Sequence, residues 1–244
     1  MPADQPTIVA TSGGYRYGRR TRLEFNSLVH HAIDLSGVHG RTPRLTFVGT
    51  ASGDQQFANH WMVQAGAVAG VTVTCLDLFP MPSVDDVPGL LLDSDVVWGQ
   101  GGSVDNLLAV WSVHDLGPAM HSAWQAGVVL AGVSAGSICW YVGGCTDSFG
   151  PELRAVTNGL ALLPYGNGVH YDSEESRRPT IHTLVEHGTL PLTHCTDDGV
   201  GLVYHGTDLV GAVAEQDGKG AYVVERSATG VTETRIDPRR LPEV

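Results

Sequence analysis

Five short apolar runs punctuate the first half of the chain: Thr7–Thr11, Leu45–Val48, Val71–Leu76, Asp95–Trp98 and Val128–Val133. Each is strand-sized, and together they read as continuous runs of Val, Ile and Leu. Between them the hydrophobic period lengthens to that of a helix over Thr21–Leu35, Gln55–Ala69 and Val104–Gln125, with Ser103 placed to cap the last. This β-α-β-α rhythm predicts an α/β fold: three layers, a mostly parallel sheet with helices on both faces.

The pattern changes after Val133. Ser137–Val142 reads as a helix, and Thr146–Asn167 is rich in Gly, Pro and polar residues, which predicts a long functional loop. A further helix is expected from about Arg178 to His187. Strands follow at Gly201–Tyr204, Asp208–Val213 and, as the terminal one, Ala221–Glu225, with Gly218–Gly220 as a hairpin turn between the last two. No repeat and no low-complexity linker interrupts the chain, so one domain over residues 1–244 is expected.

Composition narrows the function classes. The 244 residues are 42% hydrophobic and 16% charged, enough to build a large core. A net charge of -12 argues against nucleic-acid or anionic-membrane partners, although a local basic pocket for a small substrate is compatible with it. Four cysteines without CxxC spacing predict a reduced, cytoplasmic protein. Met1–Pro6 lacks the features of a signal peptide, and no apolar run is long enough to span a membrane.

The sharpest chemical signal is Gly132-Val133-Ser134-Ala135-Gly136, a G-x-S-x-G match between a buried strand and a helix pattern. A strained strand-to-helix bend lifts a serine oxygen from the sheet's carboxyl edge, and small neighbours let the backbone pack closely. The bland alternative is a packing turn rich in Gly, Ala and Ser. A nucleophilic serine needs a base, and among eleven histidines His170 stands out, at the end of Gly166–His170 and before a polar run. Gly99-Gln100-Gly101-Gly102, after the fourth strand, offers backbone N–H groups for an oxyanion. Metal motifs are not matched: His182 to His187 has the wrong spacing, and His194–Cys195 lacks a partner pair. No metal or cofactor is expected.

Taken in order, these segments resemble the peptidase E (aspartyl dipeptidase) family of serine peptidases, which is related to cyanophycinase. The resemblance includes Ser12-Gly13-Gly14, Phe47–Asp54, Gly99–Gly102, Gly132–Trp140, Thr146–Gly150, Val169–Asp172 with Arg177-Arg178-Pro179, and Asp197–Val200. It implies a fold like the class I glutamine amidotransferases, with serine in place of their cysteine. Carried over by position, Ser134 is the nucleophile, His170 the base, and Gly102 (with Gly101 beside it) and Ala135 the oxyanion hole. The triad acid has three candidates: Asp147 is preferred, Glu152 follows from cyanophycinase-like spacing, and Asp172 from an H-x-E-like arrangement. Arg177, or Arg178 next to it, is positioned to hold a substrate carboxylate. Gly168-Val169-His170 departs from the family's usual Cys-Pro-His or Asn-Pro-His, and the His170–Arg177 loop is short, which puts strict Asp-X specificity in question. The implied function is hydrolysis of short peptides by a monomer or homodimer. The alternatives are a serine esterase or amidase on the same scaffold, or a catalytically silent binding module.

Overall fold

The computed structural model describes residues 3–244. The chain opens with β1 (Thr7–Thr11), a short β2–β3 hairpin (Tyr15–Tyr17, Leu23–Phe25) and helix α1 (Ser27–Leu35). There follow β4 (Arg44–Val48), α2 (Gln56–Ala69), β5 (Thr72–Leu76), α3 (Val87–Leu92) and β6 (Val96–Gly99). Helices α4 (Val104–Val113) and α5 (Leu116–Gln125) lead to β7 (Val129–Val133), and the single turn α6 (Ala135–Ile138) follows it. The second half contains β8 (Tyr141–Thr146), β9 (Arg154–Val156), β10 (Leu163–Gly168), α7 (Arg177–Glu186) and β11 (Thr193–Thr196). It ends with β12 (Val200–His205), β13 (Asp208–Ala214), β14 (Ala221–Ser227), β15 (Gly230–Ile236) and β16 (Arg239–Arg240).

The α/β class is as expected, and the strands form two large sheets. The first has the order β16-β13-β12-β1-β7-β6-β4-β5, parallel from β1 to β5 and joined by antiparallel β12 and β13. Helices cover both faces, and side-chain alternation explains how. Val9, Val96, Trp98, Val129 and Ala131 pack with Val29 of α1 and Met62 of α2. Ile8, Ala10, Val97 and Leu130 point the other way, into a cluster with Leu107 and Trp111 of α4 and Met120 of α5. Among the described residues no helix is long and apolar enough to cross a membrane.

The second sheet, β15-β14-β11-β10-β8-β9, has parallel β8, β10 and β11 at its centre. Its Tyr141 and Leu163 belong to the same apolar cluster as Ile8 and Leu202 of the first sheet. Polar contacts fasten this junction: the Tyr141 hydroxyl donates to that of Tyr204 (3.1 Å), which lies 2.8 Å from His194 Nδ1. Burial pushes the His194 imidazole down to about 4, so it is neutral and pairs with the hydroxyl without a buried charge.

Several boundaries differ from the sequence reading, each for a local reason. Asn26 accepts from the Leu28 and Val29 amides and starts α1 there, leaving Leu23–Phe25 free to form β3. The long pattern Val104–Gln125 breaks where Asp115 adopts φ 52°, giving two helices in place of one. Ser103 caps α4 through the Asn106 amide, as expected. Of the expected helix Ser137–Val142 only Ser137 and Ile138 are helical, as the end of α6, because Tyr141 already pairs in β8. The expected loop Thr146–Asn167 contains β9 and most of β10. Gly218–Gly220 joins no hairpin: β13 lies in the first sheet and β14 in the second. The short β2 also went unrecognised, as did β11, β15 and β16, the last three rich in Thr or charged residues.

One ion pair ties β4 to β6. The Arg41 guanidinium forks onto Asp95 (2.7 and 2.5 Å), which also accepts from the Arg44 amide (2.8 Å) and is 6% exposed. Burial alone would raise the Asp95 carboxyl, but Arg41 and the amide outweigh it and hold it below the usual carboxylate range. A depressed folded-state pKa adds stability above the unfolded value, and that stability is lost as pH falls through the folded one. Asp95→Asn is expected to lower the urea midpoint at neutral pH, with the gap to wild type closing below about pH 4. A gap of the same size on both sides of that pH would refute the ion-pair account.

Candidate active site

Ser134 sits immediately beyond β7 at φ 56°, ψ -113°, a backbone conformation that L-residues avoid. The surrounding glycines explain why the bend is tolerated. A Cβ on Gly136 would lie 2.2 Å from the Gly99 carbonyl oxygen, and one on Gly132 would lie 2.3 Å from that of Gly136. The bend is therefore pressed directly onto the end of β6. The Ser134 amide donates to the Thr11 carbonyl (3.0 Å), and the Thr11 hydroxyl donates to that of Gly132 (3.0 Å). α6 has four residues, so little helix dipole stands behind the serine.

The glycine loop after β6 runs along the same bend. Gln100 N donates to Val48 O (3.0 Å) and Ser103 N to Ala51 O (2.9 Å), which fixes Gly101 and Gly102 between two anchors. A Cβ on Gly101 would touch Ser134 Cβ at 3.3 Å, so this backbone flanks the serine. Gly102, at φ 141°, fits only because it lacks a side chain: an added Cβ would lie 2.3 Å from Ala51 O. Ala135 is the first residue of α6, where a helical N–H has no carbonyl four residues back to bond.

His170 comes from the other sheet, two residues past β10, and also has a positive φ of 54°. Its amide donates to Ser12 Oγ (3.1 Å), and that hydroxyl is 2.7 Å from Thr196 Oγ1 at the end of β11. Ser134 and His170 thus hang from adjacent residues, Thr11 and Ser12. The His170 Nδ1 lies 2.5 Å from Asp198 Oδ1. With the Nδ1 proton donated to that carboxylate, Nε2 is the basic nitrogen of the ring. The Asp198 loop is pinned as well, since Gly199 N donates to Ser12 O and Ser12 N to Val200 O, both at 2.9 Å.

The acid beside His170 is therefore none of the three read from sequence. Asp147 and Glu152 are both exposed, and among the described residues neither hydrogen-bonds the imidazole. Asp172 stands behind Asp198: its Oδ1 accepts from the Asp198 amide (2.8 Å) and its Oδ2 from Lys219 (2.5 Å). Burial raises the Asp172 carboxyl, but the Lys219 ammonium and the amide more than offset this and hold it below its usual range. The missed residue had a readable signal. Parallel β10 and β11 pair Gly168 with Cys195, which brings the residues that follow each strand side by side. That reasoning needs β11, and the short polar Thr193-His194-Cys195-Thr196 did not read as a strand.

The two arginines are both engaged internally. Arg177 is 3% exposed, donating to Cys145 O and Glu174 Oε2 (2.5 Å each). Arg178 pairs with Glu233 and lies 4.5 and 4.7 Å from the Tyr171 and Tyr222 ring centroids. Arg177 thus presents no open fork to a substrate, and Arg178 is already paired with Glu233.

The peptidase family S51 model matches residues 9–210. A Bacillus subtilis (strain 168) protein named "Uncharacterized peptidase YgaJ" is 35% identical over 199 residues, spanning 82% of this chain and 85% of its own. Among solved structures, a peptidase from an acI-B1 Actinobacterium superposes with TM-score 0.67 at 17% identity, covering 98% of this chain and 97% of that one. A putative peptidase E protein from Listeria monocytogenes EGD-e gives 0.57 at 14% identity, with 84% and 96% covered. At those identities the two structures establish likeness of fold alone.

The tight Gly99–Gly136 contact makes a specific demand. Gly136→Ala is expected to cost about 1–3 kcal/mol in urea unfolding, as overpacking does. Gly211→Ala, where an added methyl meets nothing within 4 Å, is expected to stay within about 0.5 kcal/mol of wild type. Equal stability of the two variants would refute the close-packed elbow.

Proposed function

The chain belongs to peptidase family S51, a family of serine-type peptidases, and on that footing we propose that it cleaves short peptides through an acyl-enzyme on Ser134. The observation that carries the proposal is the shared anchoring of Ser134 and His170 on Thr11–Ser12, with Asp198 on the imidazole at 2.5 Å.

His170 Nε2 takes the Ser134 proton as the hydroxyl oxygen bonds to the peptide carbonyl carbon. The tetrahedral oxyanion is received by the N–H groups of Gly102, with Gly101 beside it, and Ala135. The imidazolium then protonates the departing amine as the C–N bond breaks, and water, deprotonated by the same nitrogen, releases the acid. Asp198 holds the imidazole in the useful tautomer and stabilises its cation, while Asp172 and Lys219 keep the Asp198 backbone in place. Preference for peptides with an acidic residue, Asp-X dipeptides among them, is the narrower form of this reading.

Ser134→Ala should lower turnover by about 10⁴- to 10⁶-fold and abolish labelling by a fluorophosphonate. Asp198→Asn should cost roughly 10³- to 10⁴-fold in kcat, while Asp147→Asn and Glu152→Gln stay near wild type. Steady-state kinetics on a dipeptide panel measures each. Undiminished hydrolysis by Ser134→Ala would remove the proposal, and a larger loss at Asp147 than at Asp198 would reassign the acid.

A further inference from the structure

With Arg177 buried and Arg178 paired with Glu233, a cation without an ion-pair partner lies elsewhere. The β2–β3 hairpin supplies one. Arg16, Arg19, Arg20 and Arg22 fall within seven residues, four of the 14 basic residues in a chain of net charge -12. The hairpin begins directly after Ser12–Gly14, so it leaves the sheet at the edge where Ser134 stands, and it packs on α2.

A direct contact joins it to the oxyanion loop. The Tyr15 hydroxyl donates to Gln100 Oε1 (2.8 Å), and Gln100 precedes Gly101, whose backbone flanks Ser134. Next to Tyr15 opens a cleft of about 320 Å³, lined by Tyr15, Arg16, Tyr17, Arg22, Leu23 and Trp61. The Arg22 guanidinium lies 5.3 Å from the Tyr17 ring centroid and 5.6 Å from that of Trp61. Arg16 is paired with Glu24, whereas Arg22 has no ion-pair partner among the described residues. Tyr17 is 79% exposed. Aromatic faces hold a guanidinium without neutralising it, and its edge donors stay free to fork onto a carboxylate.

We propose that this hairpin forms a substrate-carboxylate subsite, with Arg22 as the binding cation and Tyr17 and Trp61 as the rings that orient it. The choice of a peptide ligand rests on the peptidase reading of Ser134. Arg19 and Arg20 at the hairpin's turn add a local positive field that draws an acidic peptide toward an otherwise negative molecule. The carboxylate is either the free C-terminus of a short peptide or an acidic side chain, since both present the same two oxygens.

Binding is read without turnover in Ser134→Ala protein, by calorimetric titration of Asp-Leu, its C-terminal amide and Asn-Leu. Arg22→Gln is expected to weaken Asp-Leu about tenfold or more. The ligand lacking the bound carboxylate is expected to be weaker by a similar factor and insensitive to Arg22→Gln, as a thermodynamic cycle requires. Loss in the amide assigns the subsite to the C-terminus, and loss in Asn-Leu assigns it to the side chain. An Arg22→Gln effect under about twofold, equal weakening of all three ligands, or no binding by a protein that melts like wild type overturns the subsite. If wild type cleaves no peptide yet Arg22-dependent binding persists, the nucleophile assignment falls and the subsite stands.

Discussion

Everything at the active edge depends on the hydrogen-bonding capacity of one dipeptide. Thr11 and Ser12 are buried, and their polar groups reach four segments distant in sequence. Thr11 O takes the Ser134 amide, Ser12 Oγ takes the His170 amide and meets Thr196, and Ser12 N and O bond Val200 and Gly199. A serine hydroxyl has one proton and two lone pairs, and here little of that capacity is left over. Each bond contributes only about 1 kcal/mol net, but a buried group left unpaired costs as much or more. The arrangement is therefore held by the penalty for breaking it.

That over-determination is what allows strain to persist. Ser134 and His170 both occupy positive φ, which disfavours any residue with a side chain. Neither is a glycine, and it is the neighbours of Ser134 that yield: Gly99, Gly132 and Gly136 have no side chains, which lets backbone touch backbone. The segments that follow parallel β10 and β11 of the second sheet contribute His170 and Asp198, and the first sheet contributes Ser134 and the glycine loop. Tyr141, Tyr204 and His194 keep the two sheets from sliding, with a neutral imidazole that suits a buried junction.

Much of the first sheet was legible because its central strands β1, β4, β6 and β7 are buried along nearly their whole length and read as apolar runs. β1 matches its predicted limits, and β4 to β7 lie within a residue or so of theirs. The serine bend was legible for a related reason: its glycines are required by contact and leave a mark in the sequence. The second sheet was harder to see. Thr193–Thr196 and Gly230–Ile236 carry polar and charged residues, since their stability comes from ladder pairing and from contacts that no local period encodes. Asp198 stayed hidden with β11, although it lies in a segment that the family resemblance includes. Arg177 illustrates the opposite error. Its position suggested an exposed ligand-binding fork, but burial against Cys145 O and Glu174 makes it part of the framework.

The bond between Ser12 and Thr196 spans 184 residues of chain. Contacts of such separation form late, after the local helices and neighbouring strands have been laid down. During synthesis, the segment bearing Ser134 leaves the ribosome well before the strands that bring Asp198 and the hydroxyl of Thr196 into place. A growing chain that stops short of Thr196 thus carries Ser134 without the contacts that fix His170. Under the proposed mechanism, peptide cleavage therefore waits until the chain has been made through Asp198.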